Sequence, residues 1–471
     1  TNYSVVCSTS LWILLPPVSA FCRNHFIITS RKQGDKRRYH GFLIHSRKPP
    51  VDRVVLVNDV ELTLERGGEQ FERTEITSFE HASVPTWHLR FADGTVVEQT
   101  FRICRKPRLA VFQWRQIGGA AASVLCVRPL LTGREFHALH YRNPNFQFDP
   151  VRHDRVISFL PYKGIPETAF VSTGEYVHDP QWRTGVYYRE DDARGFECRE
   201  DCASPGSFAI DLDGDALLAF AAGDQNALND PKPLRTVRRA IKLSDDRRKR
   251  LGTSFDRAAD AYFVARGSKG RSIIAGYPWF NDWGRDTLIA LRGLGIARNR
   301  RKLTREVLHT WADALDRGML PNCFADDGKP SYRAMDAPLW FVVAAHEFLS
   351  SPSGEFPDSV PGKKKILRAI RSILDHYCVG TRHGIRADDD GLLTGGTPDT
   401  SLTWMDARVD GVPVTPRNGK PVEINALWIN AVWLGAKLDS VWAGYLATAL
   451  ASFQQRFWLA EGSLPAVFTD E

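Results

Sequence analysis

The stretch TWHLRFADGTVVEQTFRI, residues 86–103, places apolar side chains at alternate positions on both sides of Asp93-Gly94. Alternation with a period of two is typical of a half-buried strand, and Asp-Gly is a turn dipeptide that joins antiparallel neighbours. The stretch therefore predicts a β-hairpin. Similar strand and turn signals extend from about residue 51 to 222, so this half of the chain predicts an antiparallel β-sandwich.

A second hairpin is predicted near the end of this half. The segments Phe208–Leu212 and Ala216–Phe220 are both rich in apolar residues and flank Asp213-Gly214, another turn dipeptide. We therefore expect these two segments to pair with each other.

Beyond residue 250 the apolar residues recur at helical spacing. One stripe, from Val307 to Leu315, is followed by Gly318, and another, from Ile366 to Tyr377, is followed by Gly380. Further helices are predicted where Asp336 could cap a first turn that contains Pro338, and at 425–438 and 440–458. Helices that follow the strands without alternating with them argue against a parallel α/β fold.

The formal net charge of +7 comes from one short segment of the 471-residue chain. Residues 232–250 alone contain nine basic and two acidic side chains. A nucleic-acid-binding protein distributes basic charge over a face, so we interpret this segment as a solvated connecting helix and expect no nucleic-acid partner. The predicted domains are 1–230 (β-sandwich), 231–254 (basic linker helix) and 255–471 (helical).

Several function classes are disfavoured by composition and by missing motifs. The eight cysteines are sparse and mostly far apart, which argues against a disulfide framework or a zinc cage. The apolar run Leu11–Phe21 is short and contains two prolines, so we expect neither a membrane span nor a signal peptide, and a cytoplasmic location. The chain has no phosphate-binding loop, serine nucleophile elbow or HExxH zinc helix.

A first cluster of candidate functional residues lies in GYPWFNDWGRD, residues 276–286. Arg285 and Asp286 can exchange hydrogen bonds with hydroxyl groups, while the indole of Trp283 can cover an apolar ring face. That chemistry suits a sugar. An Arg285–Asp286 pair that caps the helix beneath core tryptophans is an equally good interpretation at this point.

A second cluster begins with TWMDA, residues 403–407. A carboxyl group beside Trp404 and Met405 should be partly desolvated, which favours its protonated form and makes Asp406 a candidate general acid. A simple turn or cap at Asp406 is the alternative. Glu423 enters an apolar helix, where it is either functional or paired with an arginine.

These motifs closely resemble those of the amylo-α-1,6-glucosidase, or glycogen debranching enzyme, family of bacterial and archaeal type. The resemblance is carried by GYPWFNDWGRD (276–286), YRAMDAPLWF (332–341), LTWMDARV and VTPRNGKPVEINALW (within 402–428), and RRYHGFLI with PPVDRVVL (37–56). It implies a β-sandwich followed by an (α/α)6 barrel. It also implies inverting hydrolysis of α-1,6-linked glucose stubs on glycogen, with no metal or organic cofactor.

The resemblance assigns roles to single residues. Asp406 looks like the general acid, and Arg285 and Asp286 look like the residues that hold the terminal glucose. The other substrate-binding residues that we expect in the cleft are Trp279, Asp282, Trp283, Asp336, Trp404 and Glu423. The expected partners are α-glucans, namely glycogen, limit dextrin and maltooligosaccharides, and no membrane.

Two departures from the family pattern bear on activity. Residues 1–34 lack the glycine-rich stretch expected before RRYHG. From residue 255 the chain supplies seven or eight helices at ~25 to 30 residues each, and not twelve. We therefore expect the barrel to be incomplete at the C-terminus. The resemblance places the general base in the C-terminal part of the barrel, so we expect that residue to be missing. The alternatives are a catalytically incomplete α-glucan-binding protein and a related (α/α)6 glycoside hydrolase or phosphorylase, although the motifs show no basic phosphate pocket.

Overall fold

The computed structural model separates into two compact units. The first comprises Thr1–Val264 with Gly276–Trp279, and the second comprises Ala265–Ala275 with Phe280–Glu471. The described residues are 25–28, 36–81, 84–120, 123–223, 230–268, 270–277, 279–350, 361–458 and 467–468. The apolar run Leu11–Phe21, Cys7, Cys22 and most of the segment 1–34 lie outside them.

The described residues of the first unit form a large antiparallel sheet. Its strands are β1 (His25–Ile28), β2 (Gly41–Lys48), β3 (Val51–Arg66), β4 (Glu69–His81), β5 (Pro85–Phe91), β6 (Val96–Arg105), β7 (Arg108–Gly118), β8 (Val124–Glu135), β9 (Val151–His153), β10 (Val156–Phe159), β11 (Thr168–Ser172), β12 (Glu175–Tyr187), β13 (Arg199–Asp211) and β14 (Ala216–Ala222). The strand order is β12-β13-β8-β3-β4-β5-β6-β7-β14-β11-β10-β9, with β2 on β3 and β1 on β2.

The Asp93-Gly94 hairpin is confirmed. Strands β5 and β6 pair antiparallel, with Leu89 opposite Val97, and Gly94 takes the positive φ of 86° that the turn requires. The inward positions Trp87, Leu89 and Phe91 of β5 are buried, as the alternation predicts.

Strands that are not neighbours in the sheet share one hydrophobic core. Phe42 on β2 contacts Phe101 on β6 and Phe112 on β7, with ring centroids 5.3 and 4.8 Å apart. Phe170 on β11 lies 5.8 Å from Phe208 on β13. These strands are not neighbours in the sheet, so the sheet bends around a core of interlocking aromatic rings.

The predicted pairing of Phe208–Leu212 with Ala216–Phe220 is wrong. The two strands exist, but β13 pairs with β12 and β8, whereas β14 pairs with β7 and β11. A strand has only two edges, and both edges of β13 are taken by other strands. All seven residues of β14 are buried, so this strand also needs a neighbour on each side. Asp213-Gly214 thus connects distant parts of the sheet.

Three helices accompany the sheet: α1 (Arg189–Asp192), α2 (Pro233–Arg250) and α3 (Ser254–Tyr262). The basic helix α2 buries Val237 and Ala240 against the sheet residues Val111, Leu217 and Ala219. Three ion pairs link α2 to other parts of the first unit. Arg238 pairs with Asp215 (2.7 Å), Arg247 pairs with Asp260 (2.7 Å), and Asp245 of α2 pairs with Arg102 (3.2 Å). One side of α2 therefore belongs to the packed interior of the first unit.

The second unit is largely helical. Its described helices are α4 (Gly284–Leu291), continued by a π-helical turn (Arg292–Ile296), α5 (Arg301–Asp313), α6 (Asp336–Leu349), α7 (Lys363–Val379), α8 (Val422–Ala436) and α9 (Ala443–Phe457). Short strand pairs lie among them: β15 (Phe263–Arg266) with β16 (Gly270–Ile273), β17 (Cys323–Phe324) with β18 (Pro330–Ser331), β19 (Arg386–Ala387) with β20 (Leu393–Thr394), β21 (Arg408–Val409) with β22 (Val412–Pro413), and β23 (Lys420–Pro421) with β24 (Val467–Phe468). Among the described residues, no helix combines the length and apolar character needed to cross a membrane.

The predicted helices exist, but several of their ends differ, and α8 and α9 cover 422–436 and 443–457 where the sequence predicts 425–438 and 440–458. α7 ends before Gly380 as expected. α5 ends at Asp313, short of Leu315, because Asp316 and Met319 exchange two backbone hydrogen bonds of 3.0 Å and turn the chain earlier. Asp336 is the first residue of α6, and Met335 occupies the capping position without a side-chain capping hydrogen bond. The predicted cap at Asp336 is therefore displaced by one residue.

The RRYH turn before β2 depends on a neutral histidine. His40 is 4% exposed, and its Nδ1 accepts a hydrogen bond from the backbone N–H of Arg37 at 2.8 Å. Burial, helped by the positive charge of Lys36, lowers the pKa of His40 to about 3.

We expect His40 to make the protein acid-sensitive. Because its pKa is lower in the folded than in the unfolded state, the unfolded chain binds the extra proton between about pH 6.5 and 3, and the free energy of unfolding falls as the pH falls through this window. The slope is at most about 1.4 kcal/mol per pH unit for one such group. His40→Asn keeps an acceptor and cannot titrate, so urea unfolding should show a shallower pH dependence. The exposed His153→Asn serves as control, and an unchanged slope in His40→Asn would refute the assignment.

Candidate active site

The start of α4 lies against the start of α6 because residue 284 is glycine. A Cβ at Gly284 would lie 2.5 Å from the carbonyl oxygen of Pro321 and 3.0 Å from the Cβ of Ala337. The N–H of Gly284 donates to the carbonyl of Asn322 at 2.8 Å, and Trp283 forms a β-bridge with Cys323. The WGRD segment is thereby fixed beside β17 and the first turn of α6.

Arg285 and Asp336 form an ion pair at this junction. Arg285 Nη1 lies 3.0 Å from Asp336 Oδ2, and their side chains are 20% and 3% exposed. Burial raises the pKa of Asp336 above its usual value, and Arg285 opposes that rise. Burial alone would lower the pKa of Arg285, but the charges of Asp336, Asp286 and Asp406 raise it. Three carboxylates therefore act on the charge of Arg285.

The second oxygen of Asp336 has unused acceptor capacity. Within the described part of the chain, Asp336 Oδ1 is buried and accepts no hydrogen bond. Buried carboxylate oxygens in folded proteins nearly always have a donor, and leaving one without a donor costs free energy. A water or a ligand hydroxyl that reached this atom would satisfy it.

Asp406 is held close to this pair by the loop that precedes it. Leu402 and Thr403 are buried, and the carbonyl of Leu402 accepts the N–H of Met335, the residue before α6, at 2.9 Å. The Asp406 carboxylate is half-buried, and Asn322 Nδ2 lies 3.4 Å from its Oδ2. Trp404, two residues before Asp406, is 53% exposed. Burial raises the pKa of the Cys323 thiol, with the charges of Asp282 and Asp406 adding to the effect.

Two of the expected ligands have other partners in the second unit. Asp282 is fully buried, and its Oδ1 lies 2.7 Å from Nη2 of Arg266. The Arg266 guanidinium also contacts Asp282 Oδ2, and it lies over the Phe324 ring. Glu423 has each oxygen 2.6 Å from a different terminal nitrogen of Arg417. This pairing with an arginine is one of the two outcomes that the sequence left open for Glu423.

Trp279 has its described contacts within the first unit. Its carbonyl accepts Arg53 Nη2 at 2.9 Å, and its ring lies 5.4 Å from the Arg37 guanidinium and 5.9 Å from the Tyr39 ring. The structure therefore brings together Arg285, Asp336 and Asp406, with Trp283 and Asp286 on the segment that carries Arg285. It adds Asn322, which sequence reasoning missed because no recognisable motif surrounds it.

Two family descriptions match this chain. "Glycogen debranching enzyme N terminal" matches residues 32–217, and "Amylo-alpha-1,6-glucosidase" matches residues 257–463. The chain belongs to the glycogen debranching enzyme family. The resemblance inferred from the sequence motifs is thus confirmed, and both the β-rich and the helical part of this debranching enzyme family member are covered.

One relative of this glycogen debranching enzyme family member and two solved structures add to the comparison. The "Glycogen debranching enzyme" of Saccharomyces cerevisiae (strain ATCC 204508 / S288c) is 26% identical over 216 residues, covering 34% of this chain and only 14% of the yeast protein. A bacterial glucoamylase solved with acarbose has a TM-score of 0.51 and 11% identity, covering 94% of this chain and 70% of that one. This likeness shows a glucoamylase-like fold. A putative kojibiose phosphorylase from human microbiome has a TM-score of 0.37 and 9% identity, covering 90% and 64%.

Proposed function

We propose that this family member hydrolyses α-1,6-linked glucose at the branch stubs of glycogen, limit dextrin or a related α-glucan, with inversion at the anomeric carbon. The observation that carries the proposal is the ion pair of Arg285 with Asp336, whose buried Oδ1 has no hydrogen-bond partner among the described residues, with the half-buried carboxyl group of Asp406 in the same cluster. A site that holds hydroxyl groups next to a candidate proton donor is what a glycosidase requires.

The terminal glucose would be held by the Arg285–Asp336 pair. A sugar hydroxyl can donate to Asp336 Oδ1 and accept from a guanidinium N–H of Arg285, and both bonds are charge-assisted. Asp286, one residue along α4, is proposed as a further acceptor. The indoles of Trp283 and Trp404 are proposed to cover the apolar faces of glucose rings. The proposal leaves out Asp282, Glu423 and Trp279, whose contacts are described above.

Asp406 is proposed as the general acid. It would give its proton to the glycosidic oxygen while the bond from that oxygen to the anomeric carbon breaks. In an inverting mechanism a water attacks the anomeric carbon from the opposite face and loses a proton to a second carboxylate ~6.5 to 9.5 Å from the acid. The proposal assigns no residue to this second carboxylate. The products are β-glucose and the debranched glucan. No metal or organic cofactor is needed for these steps.

The finer architecture belongs to the same proposal. We propose a β-sandwich at 1–230, a basic segment at 231–254 and helices of an (α/α)6 type at 255–471. The shared core of the sheet, the helices α4–α9 and the likeness to the glucoamylase support it.

A second candidate function is α-glucan binding without turnover. Glu423, another carboxylate of the motif region, is held by Arg417 at both oxygens and so is poorly placed to activate water. Glucose release from a maltooligosaccharide carrying one α-1,6-linked glucose, compared with its linear α-1,4 counterpart, separates the two functions. We expect release from the branched substrate only. Binding of both without release would favour the second function.

Trp283 should report glucan binding. Adding a maltooligosaccharide should change the intrinsic fluorescence of the parent protein more than that of Trp283→Phe, because the indole at the mouth of α4 would lie against the sugar. The matched control is Trp433→Phe on α8, which removes an exposed indole next to Lys437. An unchanged response in Trp283→Phe would remove Trp283 from the site.

A further inference from the structure

Asn322 occupies the point where three parts of the candidate site meet. Its carbonyl accepts the N–H of Gly284 at the start of α4, and its own N–H donates to the carbonyl of Ser331 at 2.6 Å. The next residue, Cys323, bridges to Trp283. The backbone of Asn322 is thus fixed on both sides, and its side chain is 8% exposed.

The side chain of Asn322 is aimed at the Asp406 carboxylate. In the described part of the chain, the 3.4 Å contact from Asn322 Nδ2 is the one hydrogen bond made to that carboxylate. The distance is at the long end for such a bond, and hydrogen bonds to catalytic groups often shorten when substrate binds. Arg285 on α4 and Cys323 on β17 both feel the charge of Asp406.

We propose that Asn322 is a positioning residue for the general acid. This inference rests on the proposed role of Asp406. The amide holds the carboxyl group at the orientation needed to reach the glycosidic oxygen. Its N–H then stabilises the carboxylate that remains once the proton has moved to the leaving oxygen. Asn322 does not itself touch the bond that breaks.

The test compares Asn322→Ala and Asn322→Asp with the parent on an α-1,6-linked glucosyl maltooligosaccharide. We expect Asn322→Ala to lower kcat by about 10- to 100-fold with little change in KM, the usual worth of a hydrogen bond to a charged group. A loss of kcat at unchanged KM separates loss of positioning from loss of glucan binding. Asn322→Asp keeps the shape of the side chain but removes the donor, so kcat should fall at least as far.

Asn281→Ala is the matched control, since Asn281 Nδ2 lies 3.3 Å from a different carboxylate, that of Asp326. It should leave kcat and KM unchanged. A parent-like kcat in Asn322→Ala would overturn the inference. If circular dichroism shows that Asn322→Ala has lost its fold, the isosteric Asn322→Asp decides by the same criteria. A parent protein that releases no glucose would instead overturn the proposed function, so the two failures are distinguishable.

Discussion

Asp406→Asn is expected to lower turnover of an α-1,6-linked glucosyl substrate by about 10² to 10⁴, the usual worth of general acid catalysis. Asparagine keeps the shape of the side chain but has no proton to give to the leaving oxygen. Glucan binding should survive, because the Arg285–Asp336 pair is untouched. Steady-state kinetics with a fluorescence measurement of binding would separate these effects.

The nature of the leaving group provides an internal check on the role of Asp406. A substrate with an activated leaving group, such as an α-glucosyl fluoride, needs less protonation and should lose less rate in Asp406→Asn. The matched control is Asp410→Asn, an exposed change four residues further on at a left-handed position that asparagine tolerates. If Asp406→Asn hydrolyses like the parent while Glu423→Gln abolishes turnover, the assignment of the acid is wrong.

Arg285→Met is expected to lower both glucan affinity and stability. It removes the donor proposed to hold the glucose and leaves Asp336 as a buried carboxylate without its cation. Breaking a buried pair in this way costs about 3 to 5 kcal/mol. We expect kcat/KM on the branched substrate to fall by about 10²-fold or more, and urea unfolding to occur at a clearly lower concentration.

Two further variants separate the functional loss from the structural loss. Arg292→Met breaks an ion pair with Glu347 just beyond the other end of α4, where the two side chains are 40% and 34% exposed. Because the pair is exposed, the free energy of unfolding should change by about 1 kcal/mol or less. Arg285→Met combined with Asp336→Leu removes both charges and should regain much of the stability, but no hydrolysis. A double variant that still cleaves the branched substrate would exclude this pair from the glucose site.

The fold could be predicted from sequence wherever the deciding signal is local. The Asp93-Gly94 turn fixes the register of β5 and β6, and Gly380 ends α7, because each turn is determined by a few adjacent residues. The pairing of β13 and β14 could not be predicted in this way. Their partner strands lie up to about a hundred positions away in the sequence. Because β14 is buried along its whole length, it pairs with strands on both of its edges, and no short stretch of sequence specifies which strands these are.

The candidate site was predictable in its motif residues and not in its pairings. Arg285, Asp336 and Asp406 are in motifs that the family resemblance picked out, and the structure brings them together. The burial of Asp282 against Arg266 depends on tertiary packing. The contact between Asn322 and Asp406 joins residues that are 84 positions apart, so no local pattern could reveal it.

The anomeric form of the first glucose released decides whether this protein is an inverting α-1,6-glucosidase. Proton NMR of the parent protein acting on an α-1,6-linked glucosyl maltooligosaccharide, recorded before mutarotation, should show β-glucose appearing first, because an inverting enzyme adds water to the face opposite the leaving group. α-Glucose as the first product, or binding of the substrate with no glucose released, would contradict the account.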